Sequence, residues 1–368
     1  MPSPADEFFM RQALSLAKLG WGNTAPNPMV GAVLVKDGAV LAEGYHHFDG
    51  GDHAEIDCLR KVGFRADGAT IYVSLEPCST AGRTGACTSA IISAGVKRVV
   101  AGCKDPNPRH AGAAQKVLAR AGVECDFGVL ESECRELNFI FNKNITSNEA
   151  LLAIKYAATK NGKIAQKRGE PSAITSAEAR ADVMKWRRLF GAVGVGFGTL
   201  VADNPSLTAR LPDGVFCPAR IVFDASLKTA ALPRLSKFSL FSDEFAARTR
   251  LVCDPSASAQ DEALLLSRGI SVMRAPCGHN SAEFWRWLKA RLYAEKICSL
   301  YVEGGAGVFK SACESMAADY VFEYIADKTF SGGLDAFERK YFDIKPVESA
   351  AFGADKFTRG YPQWTHLQ

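Results

Sequence analysis

His53-Ala54-Glu55, followed further on by Glu76-Pro77-Cys78-Ser79-Thr80-Ala81-Gly82-Arg83-Thr84-Gly85-Ala86-Cys87, is the stretch from which the rest of the reading follows. One imidazole and two thiolates fill three corners of a zinc tetrahedron and leave the fourth for water, the pattern of a catalytic site rather than a closed structural one. Zinc lowers the pKa of such a water towards neutrality. Glu55, two residues from His53, reaches that water without ligating the metal. A carboxylate there takes the water's proton and passes it to a ring nitrogen and then to a departing amine. Cys87 opens a predicted helix and Cys78 follows a proline at a predicted strand end, where backbone dipoles favour thiolates. Cys58 lies within the helix after His53 and reads as core. The expectation is one Zn²⁺ per chain on His53, Cys78 and Cys87, with Glu55 as the catalytic residue.

Outward from this stretch, apolar spacing places helices over 6–19, 53–62, 87–94 and 112–121. Strands fall over 30–35, 39–45, 69–75, 97–103 and 123–127, the first two joined at Lys36-Asp37-Gly38. Asp-Gly between two apolar runs signals a hairpin. Helices alternating with strands predict an α/β sheet covered on both faces. From Asn138 to Asn148 the pattern weakens into a polar, Asn-rich stretch, and the domain boundary is set there, giving 1–147 and 148–368. The second domain offers strands over 151–157, 192–195, 219–223, 250–253, 299–302 and 321–325. Thr175-Ser176-Ala177-Glu178 reads as a capping box ahead of a helix near 177–189.

Composition narrows the class. At 368 residues, 47% hydrophobic and 23% charged, the chain suits two globular domains. No window approaches the roughly 18 uninterrupted apolar residues of a spanning helix, and the first twenty lack an apolar signal core. The expectation is a cytoplasmic enzyme with no membrane partner. The net charge of +4 is spread widely, and the densest basic knot, Lys185, Arg187 and Arg188, is too short for a nucleic-acid tract. Eleven cysteines, an odd number, favour reduced thiols and a metal site over a disulfide framework.

The His-x-Glu and Pro-Cys motifs resemble the zinc-dependent cytidine-deaminase superfamily, with the second cysteine displaced by a longer loop. Gly82-Arg83-Thr84 in that loop, Ala25-Pro26-Asn27-Pro28-Met29-Val30-Gly31 before it and Lys104-Asp105-Pro106-Asn107-Pro108 after it narrow the likeness. The chain looks like the bacterial bifunctional riboflavin-biosynthesis deaminase–reductases. That resemblance implies a cytidine-deaminase-like three-layer domain followed by a dihydrofolate-reductase-like domain. It implies hydrolytic loss of the 2-amino group from 2,5-diamino-6-(5-phosphoribosylamino)pyrimidin-4-one, then NADPH reduction of the ribosyl arm to ribityl. Asn27 and His46 would contact this small phosphorylated pyrimidine, and Arg83 would meet its phosphate. Without the resemblance, Asn27 reads as a turn residue and Arg83 as a solvated charge. Many relatives carry histidines where Thr80 and Ala81 stand here.

The resemblance continues through Gly162-Lys163-Ile164-Ala165, Ala202-Asp203-Asn204-Pro205-Ser206-Leu207-Thr208 and Val302-Glu303-Gly304-Gly305. It implies that Lys155, Arg187, Leu207, Arg210 and Glu303 hold the reductase substrate. Ala157, Thr199, Asp203, Gly305, Ala306 and Gly307 would line the NADPH site. On pattern alone, Gly194-Val195-Gly196-Phe197-Gly198 and Glu303-Gly304-Gly305-Ala306-Gly307 are glycine turns after strands, short of the dinucleotide fingerprint. Relatives usually have Asp where Asn161 stands, Ser at Pro171, Trp at Ala173 and Ser at Ala225. A deaminase with a degenerate reductase domain is therefore the alternative. An RNA or nucleoside deaminase and a regulatory protein with structural zinc are the readings from other classes. The resemblance also implies a homo-oligomer.

Overall fold

Gly31–Lys36, with the sequence GAVLVK, buries five of its six residues in succession, as a strand covered on both faces must. In the computed structural model, which describes residues 3–80, 85–108, 110–167, 173–335 and 341–365, this strand lies inside a five-stranded sheet. The chain divides into two compact units, Met1–Asn148 and Glu149–Gln368.

The first unit runs α1 (Pro4–Ala17), β1 (Gly31–Lys36), β2 (Ala39–Tyr45), α2 (Ala54–Lys61), β3 (Thr70–Leu75), α3 (Cys87–Ser93), β4 (Arg98–Cys103), α4 (Ala113–Arg120), β5 (Glu124–Phe127), α5 (Glu131–Leu137) and α6 (Phe139–Ser147). Strand order is β2-β1-β3-β4-β5; β1 pairs antiparallel with β2 and β3, and the remaining pairs are parallel. Asp37 and Gly38 both take positive φ at the β1–β2 turn, the backbone that matches strand twist in a tight hairpin.

Three glycines on this sheet admit part of a helix, backbone at Gly31 and Gly44 and the Cys134 side chain at Gly102, where a side chain would stand. A Cβ on Gly31 would lie 2.0 Å from the Ala13 carbonyl oxygen, and one on Gly102 would lie 2.2 Å from Cys134 Sγ. These two positions put α1 and α5 on one face. Gly31 faces Tyr45 across the hairpin, so its neighbour Gly44 points to the other face. There a Cβ would lie 2.5 Å from both the Ala54 oxygen and the Cys58 nitrogen. Helix α2 thus covers the second face, and the unit has three layers.

The Asn-rich stretch is helical. Asn138 clasps the backbone of Met29, accepting from its N–H at 2.8 Å and donating to its carbonyl at 2.9 Å, while Phe139 is buried. Helix α6 then runs to Asn148, whose positive φ ends it. Its polar composition hid a helix held by tertiary contacts rather than by propensity.

The second unit runs β6 (Leu151–Thr159), β7 (Lys163–Ala165), α7 (Ala177–Leu189), β8 (Ala192–Gly196), α8 (Phe197–Asp203), β9 (Ala209–Leu211), β10 (Gly214–Phe216), β11 (Ala219–Phe223), α9 (Ser239–Ser242), β12 (Thr249–Cys253), α10 (Ala259–Ser267), β13 (Ser271–Arg274), α11 (Ala282–Ala294), β14 (Ser299–Gly304), α12 (Ala306–Glu314), β15 (Tyr320–Ala326), β16 (Leu334–Asp335), β17 (Phe342–Phe352) and β18 (Asp355–Trp364). Nine of these strands form one sheet in the order β13-β12-β11-β8-β14-β6-β15-β18-β17. It is parallel from β13 to β15 and ends in the antiparallel β17–β18 hairpin. The chain steps outward from β8 to β13 and returns to insert β14 beside β8, so the carboxyl ends of β8 and β14 border a crevice of the kind that binds ligands in open α/β sheets. The cap of α7 is Ser176, one residue later than the expected box: its Oγ accepts from Ala179 N–H at 3.1 Å, and Asp355 takes its backbone N–H at 2.6 Å.

The best-connected buried charge in the first unit is Asp6, which caps α1 with Ser3 and accepts from Tyr72 Oη at 3.0 Å and from two Arg98 nitrogens at 2.8 and 3.2 Å. Burial opposes its ionisation, but the Arg98 bonds and those from Ser3 and Tyr72 outweigh it and hold the carboxyl well below the usual range. Asp6→Asn is expected to cost about 2 kcal/mol at neutral pH in chemical denaturation. Because the folded pKa is depressed, the difference from wild type should be full above the unfolded carboxyl pKa and shrink as pH falls below it.

Candidate active site

His53 is the extended residue immediately before α2, so its ring stands at the helix end while Glu55 turns inward and is buried. Cys78 lies just beyond the end of β3, and Cys87 is the first residue of α3. Cys87 N–H donates to Cys78 Sγ at 3.3 Å, closing the long loop between them. His53 Nδ1 lies 3.3 Å from Cys87 Sγ and 3.5 Å from Cys78 Sγ, and one ligand atom from each residue lies within 4.8 Å of the others. Bonds of roughly 2.0–2.3 Å give a zinc tetrahedron edges of about 3.5 Å, so this donor set fits zinc in chemistry and in spacing. Cys78 is brought down to about 4 by the hydrogen bond from Cys87, with His53 adding to it against burial. Cys87 is pushed up by the same shared proton and by burial.

His53, Glu55 and Cys78 line a cavity of about 230 Å³ with Asn27, His46, Glu76, Asp105, Asn107, His110 and the α6 side chains Phe141 and Ile145. Burial, then the Cys78 charge, raises the Glu55 pKa above the ordinary carboxylate range, with His53 opposing. His46 is buried beside His53, and its Nδ1 contacts the Asp52 carbonyl at 2.7 Å, which requires the proton on Nδ1. Its Nε2 then accepts from Asn27 Nδ2 at 3.2 Å, and burial lowers its pKa, so the ring is neutral. The same Asn27 amide group donates to Asp49 at 3.1 Å. Asn27 and His46 are thus brought together at the metal-ligand cluster, while Arg83 and Ala81 lie outside the described residues. Asp105 and Asn107 belong to the 104–108 stretch that carries the resemblance, and His110, just beyond it, carried no signal of its own. Phe141 and Ile145 were invisible because their segment read as polar.

In the second unit, β6 and β14 present Lys155 and Glu303. Arg187 of α7 donates to both Glu303 carboxylate oxygens, at 2.6 and 2.8 Å, and to the Thr208 carbonyl at 2.9 Å. Glu303 is held below its usual range by Arg187 and Lys155 in spite of burial. Burial lowers Lys155, Arg187 adding to the effect and Glu303 opposing it; its ammonium lies 5.8 Å from the Tyr324 ring centroid. Arg210 donates to the Ser206 and Thr208 hydroxyls at 2.7 and 3.1 Å, and Leu207 between them is buried with positive φ.

A second cavity, of about 260 Å³, opens at the carboxyl ends of β8 and β14. Gly196, Gly198, Gly305, Ala306 and Gly307 border it, with Phe223, Ala225 and Trp285 also lining it. The two turns touch: a Cβ on Gly305, whose φ is +101°, would lie 3.1 Å from Gly196 Cα. Thr199 packs on Gly304, where a Cβ would meet its hydroxyl at 3.1 Å. Glycine turns opening into a helix offer free N–H groups to phosphates, and aromatic walls suit a nucleotide, so the donor set fits a dinucleotide. Thr199, Asp203 and Ala157, expected at this site, are not among the residues lining the cavity. Asn161 clamps its own turn, donating to the Phe330 carbonyl at 2.8 Å and accepting from Thr159 at 2.7 Å. The Ala173 carbonyl accepts from Lys328. Pro171 lies outside the described residues.

Comparison with known proteins covers both units. Residues 3–103 match the family model of the cytidine and deoxycytidylate deaminase zinc-binding region, and residues 150–356 that of the RibD C-terminal domain. The riboflavin biosynthesis protein RibD of Actinobacillus pleuropneumoniae is 38% identical over 338 residues, 90% of this chain and 88% of its own length. Its counterpart in Aquifex aeolicus is 39% identical over 329 residues, 89% of each. A solved diaminohydroxyphosphoribosylaminopyrimidine deaminase/5-amino-6-(5-phosphoribosylamino)uracil reductase from Thermotoga maritima is 34% identical, with a TM-score of 0.81 over 98% of this chain and 99% of that one. RibD of Acinetobacter baumannii superposes at 0.82 with 30% identity over the same shares.

The contact of α2 with Gly44 sets where His53 and Glu55 stand. Gly44→Ala is expected to lift the helix, cost about 2 kcal/mol and weaken zinc at least about tenfold in chelator competition. Unchanged zinc affinity in a folded variant would show that the helix position is not what holds His53.

Proposed function

The chain belongs to the RibD family of riboflavin biosynthesis proteins, and from that premise we propose how its two sites divide the chemistry. It is a bifunctional enzyme, a zinc-dependent pyrimidine deaminase joined to an NADPH-dependent reductase of the ribosyl arm. The substrate is a small phosphorylated pyrimidine.

For the deaminase, the observation that carries the residue assignment is a buried carboxylate, Glu55, lining the same cavity as His53 and Cys78, with Cys87 completing the ligand cluster beside it. His53, Cys78 and Cys87 would hold the zinc, which when bound would supply Lewis-acid activation of water. Glu55 takes a proton from the attacking water on a carboxylate oxygen and delivers it to the ring nitrogen beside the carbon under attack. A second transfer through Glu55 protonates the amine, which leaves as ammonia while oxygen stays on the ring. Burial raises the proton affinity of this carboxyl group, as suits a group that takes a proton and then gives it up. Asn27, whose amide nitrogen is committed to His46 and Asp49, offers its oxygen to a donor on the heterocycle. His46, with both ring nitrogens engaged, keeps that amide oriented. Arg83 would meet the phosphate.

For the reductase, NADPH supplies hydride to the opened ribose. Gly305, Ala306 and Gly307 at the start of α12 would hold its phosphates through backbone N–H groups, with Thr199 packed on Gly304 behind them. Asp203 and Ala157 stand as flanking residues of that site. Lys155 and Arg187 bring two cations against the one anion of Glu303, a net positive charge in a buried place that suits a phosphorylated substrate. Glu303 fixes Arg187, and on the resemblance Leu207 and Arg210 would meet the same substrate. We further propose a cytoplasmic homo-oligomer on the resemblance. Among the described residues no helix is long and apolar enough to cross a membrane.

Glu55→Gln is expected to retain zinc and lose deamination by at least about a hundredfold, with reduction of the deaminated product unchanged. Lys155→Ala should do the reverse, costing reduction about 10–100-fold and leaving deamination intact. Mass spectrometry of the pyrimidine ribose phosphate with and without NADPH reads both. Parallel loss of both steps in either folded variant would contradict two separate sites.

A further inference from the structure

Glu76 is buried two residues before the ligand Cys78, yet its carboxylate is spent on backbone. Its Oε2 accepts from the N–H groups of Asp105 at 3.0 Å and Gly112 at 2.9 Å, and its Oε1 from that of Ala114 at 3.0 Å. Its own N–H donates to the Cys103 carbonyl at 2.9 Å, extending the β3–β4 pairing by one more bond. A single side chain on the metal-bearing side of the seam therefore clasps both ends of the loop that connects β4 to α4. Between the clasped ends the loop turns on itself. The Asp105 carboxylate takes the Asn107 N–H at 2.8 Å, and the Asn107 carbonyl takes the N–H groups of His110 and Ala111 at 2.9 and 3.0 Å. The side chains that this fold turns to the cavity are Asp105, Asn107 and His110, which share it with His53, Glu55 and Cys78.

We propose that Glu76 is a positioning residue of the deaminase, holding the Asp105–Ala114 loop against the segment that carries Cys78 so that the heterocycle is gripped between the two walls. The proposal rests on the deaminase reading of the cavity. An ionised carboxylate accepting three N–H bonds is a stiff anchor, because each bond is charge-assisted and the group is shielded from water. Glutamine fills the same volume but offers one acceptor oxygen and points an NH₂ donor at N–H donors. In either orientation its NH₂ faces backbone donors, that of Ala114 or those of Asp105 and Gly112, so at least one of the three bonds becomes a donor–donor clash that pushes the loop away. Loss of loop position moves Asn107 and His110 away from the heterocycle and loosens the grip on ground state and transition state alike, a loss of uniform binding that appears in KM.

The test is a kinetic cycle on the full, zinc-loaded chain with the diaminopyrimidine ribose phosphate. Glu76→Gln is expected to raise the deaminase KM at least about tenfold, with kcat within about threefold, zinc at the wild-type stoichiometry and reductase rates unchanged. His110→Ala should raise KM as well, and the double variant should be no worse than the poorer single one, since a clasp has no effect through a wall residue that is gone. Additive effects would make Glu76 a stability residue only and overturn the proposal. So would a KM within about twofold of wild type, or loss of zinc in Glu76→Gln. If that variant fails to fold, Glu76→Asp, which keeps the charge but falls one methylene short of the loop, is read in the same way. A wild-type chain that does not deaminate this substrate would sink the underlying reading. Deamination by wild type with an unaffected Glu76→Gln would sink the proposal alone.

Discussion

Helix α2 lies so close to strand β2 that a methyl group on Gly44 would sit 2.5 Å from the Ala54 oxygen and the Cys58 nitrogen. That contact is backbone against backbone, which gives it little freedom to relax. It determines where the amino end of α2 emerges, and hence where the His53 ring and the Glu55 carboxylate stand relative to the end of β3 and the start of α3. The metal-ligand cluster is thus a consequence of layer packing. Three donors from separated parts of the chain converge because one strand edge is bare of side chains at the position where a helix crosses it.

Buried charge is handled differently in the two units. In the first, the buried carboxylates have separate partner sets: Asp6 takes Arg98 and Tyr72, Glu76 takes backbone N–H groups, and Glu55 has the Cys87 thiol and lines the cavity. A buried carboxylate without a compensating cation is costly, and such a cost is found where chemistry needs it. In the second unit the Arg187–Glu303 pair is bidentate and Lys155 stands beside it as a surplus cation. Arg220 shows what a purely architectural guanidinium looks like there. Fully buried, it gives two bonds to Asp243 and others to Thr249, Leu240 and Ser206, tying the segment before Leu207 to β11. The position of Arg187 is set by one carboxylate and one carbonyl, so it keeps an edge towards the site.

Much of the first unit was legible in the chain because its signals are local. Apolar runs closed by Gly63, Gly95 and Gly122, and the Asp37–Gly38 turn, place its elements to within a residue or two. What escaped was held by distant partners. Helix α6 is polar and stands on Asn138 clasping Met29. The α7 cap moved from Thr175 to Ser176 because Asp355, far along the chain, binds the Ser176 N–H. The β17–β18 hairpin was missed because β17 is mostly exposed, carries Pro346 and so lacks the alternation that marks a strand with one buried face.

The sequence by itself determined the ligand types at His53, Cys78 and Cys87, the carboxylate beside them, the glycine turns of the second unit and two α/β domains, since residue chemistry and short-range periodicity need no fold to be read. Only the tertiary structure decided which polar groups are free to act. It committed both nitrogens of His46 to Asp52 and Asn27, gave Arg187 to Glu303, turned Phe141, Ile145 and His110 towards the cavity, and spent Glu76 on the loop that faces the metal ligands. Hydrogen bonds and burial are made between residues far apart in the chain, and whether a polar side chain serves the substrate or the scaffold is settled by those partners alone.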